Sequence, residues 1–292
     1  MGLPRLIFVT GKGGTGKSTI AAAFALALAH HRPTSLADLD RRLSTARLLG
    51  ASLDGARTAH INETLEVFAL APRTELEAFI GRIVPIRAVA RRMLKSRTFG
   101  FVTAALPGLE AFLMLERLRL MADEAAKDDC FVVVDGPATG GAIELLSVAR
   151  GIRQLAPFGT LNRLAGGVEE FLTDASRCGI VITLLPEELA LREALEAIAT
   201  MREKLGLSCV AAALNCVPDA LFTKADMMKV RQLGAHAELA ERRRASAEFA
   251  SRTREQLEHA GIDVVELPMM FRRSLERREL HELGRKLVSA LR

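Results

Sequence analysis

The stretch Gly11-Lys12-Gly13-Gly14-Thr15-Gly16-Lys17-Ser18-Thr19 determines the expected fold of this chain. It has the spacing of a phosphate-binding loop, in which a first glycine precedes Gly-Lys-Ser by four residues. The apolar run at 6–9 predicts a short buried strand before the loop, and the apolar run at 20–29 predicts a helix after it. The loop therefore joins a strand to a helix N-terminus, where backbone N–H groups and the helix dipole attract an anion.

The residue types in the loop predict a nucleotide with magnesium. Glycines allow the backbone to approach phosphates closely, the Lys17 ammonium can pair with the β- and γ-phosphates, and the Ser18 hydroxyl can ligate Mg²⁺. The expected cofactors are therefore ATP or ADP and Mg²⁺. The predicted nucleotide-binding residues of the loop are Gly11, Lys12, Gly13, Gly14, Thr15, Gly16, Lys17, Ser18 and Thr19.

Strand and helix patterns alternate along the remainder of the chain. Further strands are predicted at 34–39, 65–71, 130–134, 180–184, 210–214 and 262–267, with helical segments between them. No linker rich in Pro, Gly or Ser interrupts this alternation. The pattern predicts an α/β fold: a three-layer, doubly wound, mainly parallel sheet in one domain covering 1–292, with a helical insert at about 73–128.

Acidic residues follow two of the predicted strands. Asp38-Leu39-Asp40 ends the second strand, and Asp135 ends the apolar run at 130–134. Open α/β sheets place catalytic groups at these carboxyl ends. Asp135 is in the position of an aspartate that holds magnesium through water. The Gly- and Pro-rich stretch at 136–141 then predicts a loop, either a nucleotide-dependent switch or a structural turn.

Two interpretations of the helical insert remain open. Its segment at 86–95 has one apolar face opposed by arginine and lysine, and the segment at 109–121 carries Met114 and Met121. The insert either packs on the α/β core or forms a methionine-containing groove for a hydrophobic client.

Composition restricts the class of protein. A hydrophobic content of 49% excludes disorder, and the absence of Trp and Tyr disfavours single-stranded nucleic-acid binding. The basic run at 241–244 is interpreted as a solvated helix face, so no nucleic-acid partner is expected. The four cysteines have no C-x-x-C spacing and are expected to be core residues in a reducing cytoplasm. Neither a secretory signal nor a long apolar run is evident, which also predicts a cytoplasmic protein.

Lys12 resembles the signature lysine of the deviant phosphate-loop class. This class includes the nitrogenase iron protein, the ParA and MinD partitioning ATPases, and the ATPases for arsenite and tail-anchored proteins. In those families the lysine reaches the partner subunit's nucleotide. The resemblance therefore implies a nucleotide-sandwich dimer, either a homodimer or a heterodimer with a paralogue, and a catalytic role for Lys12 beside Lys17.

Several stretches, ordered along the whole chain, resemble the ArsA-type ATPases in particular. Asp38-Leu39-Asp40 followed by Ser44 is similar to their switch I, which implies that Asp40 positions the attacking water. The stretch at 135–140 is similar to switch II. Asn215 occupies the position of an asparagine that binds the adenine edge. The Pro-Gly-Leu-Glu at 107–110 and the Pro-Glu-Glu at 186–188 also have counterparts in that family.

The chain departs from this family at identifiable positions. Arg41 replaces the switch I proline and Gly141 replaces the usual switch II histidine. The zinc-binding cysteine pair of eukaryotic targeting factors is absent. Cys209 and Cys216 alone cannot supply three thiolates, so arsenite transport is not expected. The resemblance is closer to single-domain bacterial homologues described generically as anion-transporting ATPases.

Three functional hypotheses follow from these patterns. The leading one is a dimeric ATPase whose nucleotide state controls binding of a protein client, plausibly a hydrophobic membrane protein. The second is a MinD- or ParA-like positioning protein, because residues 272–292 form a basic amphipathic helix that could contact an anionic membrane. The third is a nucleotide-dependent scaffold that does not hydrolyse ATP, because the switch residues are altered.

Overall fold

The computed structural model describes residues 3–39, 44–51, 58–83, 108–230, 235–272 and 275–291. The strands are β1 (Leu6–Gly11), β2 (Thr34–Asp38), β3 (Thr58–His60), β4 (Leu65–Ala69), β5 (Phe131–Ala138), β6 (Cys178–Leu184), β7 (Cys209–Val217) and β8 (Val264–Pro268). The helices are α1 (Lys17–Ala29), α2 (Ser44–Leu48), α3 (Pro72–Ile83), α4 (Leu109–Lys127), α5 (Thr139–Leu155), α6 (Thr160–Thr173), α7 (Glu188–Ala199), α8 (Lys224–Val230), α9 (Ala235–His259) and α10 (Arg277–Leu291).

These strands form one mainly parallel sheet in the order β3-β4-β2-β5-β1-β6-β7-β8. Among the described strand pairs, only β3 and β4 are antiparallel. Strand β1 lies in the middle, with β5 on one side and β6 on the other. Doubly wound sheets bind ligands at the carboxyl ends of such central strands, where the chain changes direction across the sheet. The predicted fold class is confirmed.

The helices cover both faces of the sheet, as the three-layer prediction requires. Side chains alternate along β1, so that Leu6 and Phe8 enter one core while Ile7 and Val9 enter the other. Every residue at 20–29 of α1 is buried. This explains why the helix is apolar on all sides, because it lies between the sheet and another helix.

Helix α10 packs its apolar side against α1. Leu280, Leu283 and Leu287 are buried in the same core as the inner face of α1. Gly284 permits this contact, because a Cβ added there would lie 2.0 Å from the Ala23 carbonyl oxygen. These leucines are therefore already covered by the protein, and only the polar side of α10 faces outward.

Strand β5 leads directly into α5, so the predicted loop at 136–141 is wrong. The strand ends at Ala138 and the helix begins at Thr139. Gly136 stays within the strand, where a Cβ would lie 2.4 Å from the Phe8 ring. Gly136, which predicted a flexible loop, is thus required for close packing instead. At its far end α5 leads to a turn in which Phe158 is 87% exposed.

The described part of the helical insert packs on the core. It comprises α3 and α4, and Met114 and Met121 of α4 are both buried among core residues. This favours the packing interpretation over a methionine-lined groove for this helix. The predicted amphipathic face at 86–95 lies outside the described residues.

Other helical predictions require adjustment. The helix expected from Pro186 to Leu205 begins at Glu188 and ends as a π-helix over Thr200–Lys204. The helical region expected at 219–260 is divided into α8 and α9, with an irregular stretch at 219–223 before them. The sequence patterns did not predict β3, α2 or α6. The arginines at 242 and 244 form ion pairs with glutamates of their own helix, as a solvated face does.

All four cysteines are free thiols, as expected. Cys178 and Cys209 are core residues, whereas Cys130 and Cys216 are only partly buried, so the expected core position is wrong for these two. Burial raises the pKa of Cys178 and of Cys209 to about 12. Such thiols stay protonated and are poor metal ligands. Among the helices that the structure describes, none combines the length and the apolar character needed to cross a bilayer.

The contact between α10 and α1 yields a stability prediction. We expect Gly284→Ala to lower the free energy of unfolding by about 1–3 kcal/mol, because the new methyl group must displace the α1 backbone. Urea unfolding measures the change. Gly151→Ala in α5 is the matched control: nothing lies within 4 Å of its added Cβ, so it should be neutral or stabilising. Equal effects of the two substitutions would contradict the close contact.

Candidate functional site

The glycine loop connects the end of β1 to the start of α1. Gly14 and Gly16 have φ angles of 87° and 93°, a left-handed conformation that favours glycine. Gly16 is the N-cap of α1 and supplies no side-chain hydrogen bond, and the first turn contains no acidic residue. The backbone N–H groups of that turn are therefore available to bind an anion.

Buried hydroxyl groups fix the loop to the neighbouring strand β6. Thr15 Oγ1 donates to the Lys12 carbonyl at 2.8 Å and lies 2.8 Å from Thr183 Oγ1. Because a hydroxyl has one hydrogen, Thr183 must be the donor to Thr15. Gly11 also lies against this strand, where a Cβ would be 2.1 Å from the Thr183 carbonyl oxygen. Only glycine fits at this position.

Asn215 contacts the loop from the next strand, β7. Its Nδ2 donates to the Thr15 carbonyl at 2.9 Å, and a Cβ on Gly16 would lie 2.4 Å from that nitrogen. The predicted strand ended at 214, whereas β7 continues to Val217 and includes Asn215. This bond uses one of the two amide hydrogens, so the carboxamide retains groups that can contact a base.

Two carboxylates lie side by side on the strands next to β1. Asp38 and Asp135 are register partners on parallel strands and are each 1% exposed. Such partners lie about 4.8 Å apart on the same face of the sheet. Asp38 Oδ2 accepts hydrogen bonds from the Thr45 N–H at 3.1 Å and from the Thr45 hydroxyl, which fixes the start of α2.

The chemistry of these groups fits a magnesium–phosphate complex. Asp135 is paired with Val9 in β1, close to the strand end where the glycine loop begins. A carboxylate and the Ser18 hydroxyl are the oxygen ligands that Mg²⁺ prefers, and it commonly combines them with phosphate oxygens and water. Ser18 and Asp135 would hold the metal, with Asp135 acting through water, and the α1 N-terminus would hold the phosphates.

The segment that contains this site resembles a known protein family. Residues 4–157, which include the loop and both carboxylates, match the model of the ArsA family, described as anion-transporting ATPase. The chain belongs to the anion-transporting ATPase family. The family predicted from the sequence motifs is thereby confirmed.

Relatives of this family match the chain only in part. ATPase BagA of Mycobacterium tuberculosis is 31% identical over 211 residues, which are 68% of this chain and 61% of that protein. A protein of Aquifex aeolicus named "Putative arsenical pump-driving ATPase 2" is 26% identical over 152 residues, 51% of this chain and 50% of its own length. The chain thus spans less than two thirds of either relative.

The Lys12 side chain is bound within its own chain. Lys12 Nζ donates to Glu193 Oε1 of α7 at 2.8 Å, and both side chains are 41% exposed. Glu193 was not predictable from the sequence, because it lies 181 positions from Lys12 and no local pattern links them. An ion pair with this exposure contributes about 0.2–1 kcal/mol, so other interactions of Lys12 can readily replace it.

The structure brings together most of the predicted site residues. The loop, Ser18, Asp135 and Asn215 all lie at the carboxyl edge of the sheet around β1. Lys17 is in the first turn of α1, with its Nζ 3.4 Å from the Lys12 carbonyl oxygen. Asp40 and Arg41 lie outside the described residues.

The bond between Thr183 and Thr15 can be tested directly. We expect Thr183→Val to lower the free energy of unfolding by about 1 kcal/mol, because the Thr15 oxygen loses its buried donor. Hydrogen exchange of the backbone amides at 11–16 should also become faster. Thr183→Ser keeps the hydroxyl and should leave these exchange rates unchanged. Unchanged exchange rates in the valine variant would show that this bond does not hold the loop.

Proposed function

We propose that this chain is an ATPase that hydrolyses ATP with magnesium and uses its nucleotide state to control binding to a protein partner. The observation that carries the proposal is the β1–loop–α1 unit, with its uncapped helix N-terminus and left-handed glycines beside the Asp135 strand. Membership of the anion-transporting ATPase family supports the same reaction, the hydrolysis of ATP. The family relationship is the reason to expect hydrolysis as well as binding.

Each residue has a role in the proposed reaction. Magnesium, when bound, would supply positive charge to the phosphate oxygens for the in-line attack of water on the γ-phosphate. The α1 N-terminus and Lys17 bind the phosphates and stabilise the charge that develops on them. Ser18 and Asp135 hold the metal, and Asp40 orients the water. Asn215 is positioned beside the loop to bind the adenine edge.

Asp40 provides the first test of this mechanism. Asp40→Asn should retain ATP binding but reduce turnover by about 100-fold or more, because an amide orients the attacking water poorly. Phosphate release with magnesium under steady-state conditions measures turnover, and calorimetry measures ATP affinity. Lys17→Ala is the control that should lose binding as well. Unchanged turnover in Asp40→Asn would remove Asp40 from this role, and no phosphate release by the unmodified protein would favour the scaffold hypothesis.

We also propose that Lys12 acts across a dimer of two copies or of paralogues. Lys12 would exchange its bond with Glu193 for the phosphates of the partner subunit. This exchange is energetically reasonable, because an exposed ion pair is worth at most about 1 kcal/mol whereas charge-assisted bonds to phosphate are stronger. Glu193 would then compete with dimerisation in the absence of ATP.

Substitutions at both ends of this ion pair test the exchange. Lys12→Ala should abolish ATP-dependent dimerisation and slow hydrolysis. Glu193→Gln should raise the dimerisation constant at limiting ATP by up to about fivefold for each Lys12–Glu193 pair, since the competing bond is weakened. Glu196→Gln on the same helix is the matched control, because Glu196 is exposed. Light scattering during an ATP titration reports the dimer, and identical curves for Glu193→Gln and Glu196→Gln would contradict the competition.

The partner that we propose is a protein rather than arsenite, despite the pump named in the Aquifex relative. Cys178 and Cys209 are buried, and their pKa values are raised to about 12 by burial, so they do not offer thiolates. A surface-positioning role is less well supported, because the leucines of α10 are packed against α1. A pull-down with ATP-loaded Asp40→Asn, compared with Lys17→Ala, would identify proteins that bind only the ATP-bound form.

A further inference from the structure

An open cavity lies at the opposite end of α1 from the glycine loop. It has a volume of about 490 Å³ and is formed where the C-terminal end of α1 meets α10. Because α1 has 13 residues, the cavity is about 20 Å from the loop along the helix axis. Its polar lining consists of His30, His31, His281, Arg285, Lys286 and Ser289.

The charge of this cavity has one sign. No carboxylate lines it, and in the described part of the chain Arg285 and Lys286 make no ion pair. The end of α1 contributes a partial negative charge of about one half at most. Glu282 lies three and four positions before Arg285 and Lys286 on α10, but it does not line the cavity. The two cations exceed the partial charge of the helix end, so the lining itself carries a net positive charge that attracts anions.

The histidines add to this concentration of basic groups. The rings of His30 and His281 lie 4.2 Å apart, edge to face. The pKa of His281 is lowered, first by burial and then by the positive charges of His30, Arg285 and His31. Protonation of His281 is thus opposed in the protein alone, and a nearby anion would favour its charged form.

We propose that this cavity binds a dianion of the phosphate monoester type. The Ser289 hydroxyl already donates to the Lys286 carbonyl at 3.1 Å. The other donors differ in geometry: a planar guanidinium fork, an ammonium and imidazole N–H groups line one space. A tetrahedral oxyanion has oxygens in several directions and can accept from all of these groups. A volume of about 490 Å³ is within the range of small-molecule sites. This site is independent of the proposed ATP hydrolysis.

The phosphate group could belong to a soluble metabolite or to a lipid headgroup. The metabolite and the headgroup would each present phosphate oxygens to the cavity. Contact with a lipid would be electrostatic, because the apolar side of α10 is buried against α1. The experiment therefore needs one arm for each source.

Histidine NMR provides a local measurement in the full-length protein. Inorganic phosphate is titrated at constant ionic strength, with sodium chloride as the balancing salt. We expect saturable shifts of the His30, His31 and His281 imidazole signals, while His60 and His259 serve as internal references. Binding at the glycine loop does not interfere, because that loop contains no histidine. Arg285→Ala/Lys286→Ala should weaken the phosphate affinity at least tenfold, since two charge-assisted donors are lost.

The control and the lipid arm complete the test. Arg278→Ala removes an exposed charge from the same helix outside the cavity and should leave the affinity unchanged. For the lipid arm, phosphatidylcholine vesicles with about one fifth phosphatidic acid are sedimented with each variant. Binding of either probe that is lost only in the double variant supports the proposal. Absence of binding to both probes, equal shifts of all histidines, or equal losses in Arg278→Ala would overturn it.

Discussion

The site depends on the close approach of Gly11 to strand β6. The Thr183 carbonyl leaves no room for a side chain at Gly11, and the Thr183 hydroxyl binds Thr15 four residues later. These two contacts fix where the chain leaves β1 and therefore where α1 can begin. Because residues 20–29 of α1 are all buried, the direction of the helix is fixed by packing rather than by a ligand. The anion site is thus built by backbone packing before any ligand binds.

The fold was predictable because its signals are local. An apolar run of about five residues predicts a buried parallel strand, and a glycine loop beside it indicates the strand–loop–helix order. The features that the sequence did not reveal are short or depend on distant packing. Strand β3 has only three residues, at 58–60, which is too short for a periodic pattern. The prediction of a loop at 136–141 was wrong, because Gly136 remains in β5. There it packs against the Phe8 ring, which is far away in sequence.

The residues of the candidate site also fall into two groups, those that the sequence predicts and those that it does not. The loop residues and Asp135 were identifiable, because each lies at the end of a local apolar pattern. Thr183 and Glu193 were not, because ordinary strand and helix sequences surround them and their partners lie more than 150 positions away. Contacts of this kind become visible only when the sheet order places β6 and α7 beside the loop. The role of Asp40 stays a prediction from the family resemblance.

The direct junction between β5 and α5 has a mechanical consequence. A flexible loop would absorb a displacement beside the nucleotide, whereas a strand that continues into a helix behaves as a stiff lever. Helix α5 has 17 residues and therefore extends about 25 Å from Ala138. The exposed Phe158 ring lies three residues beyond the end of this helix. A small rotation at Ala138 would thus be enlarged near this ring, so the position of a distant apolar side chain is connected to the edge of the sheet where ATP is proposed to bind.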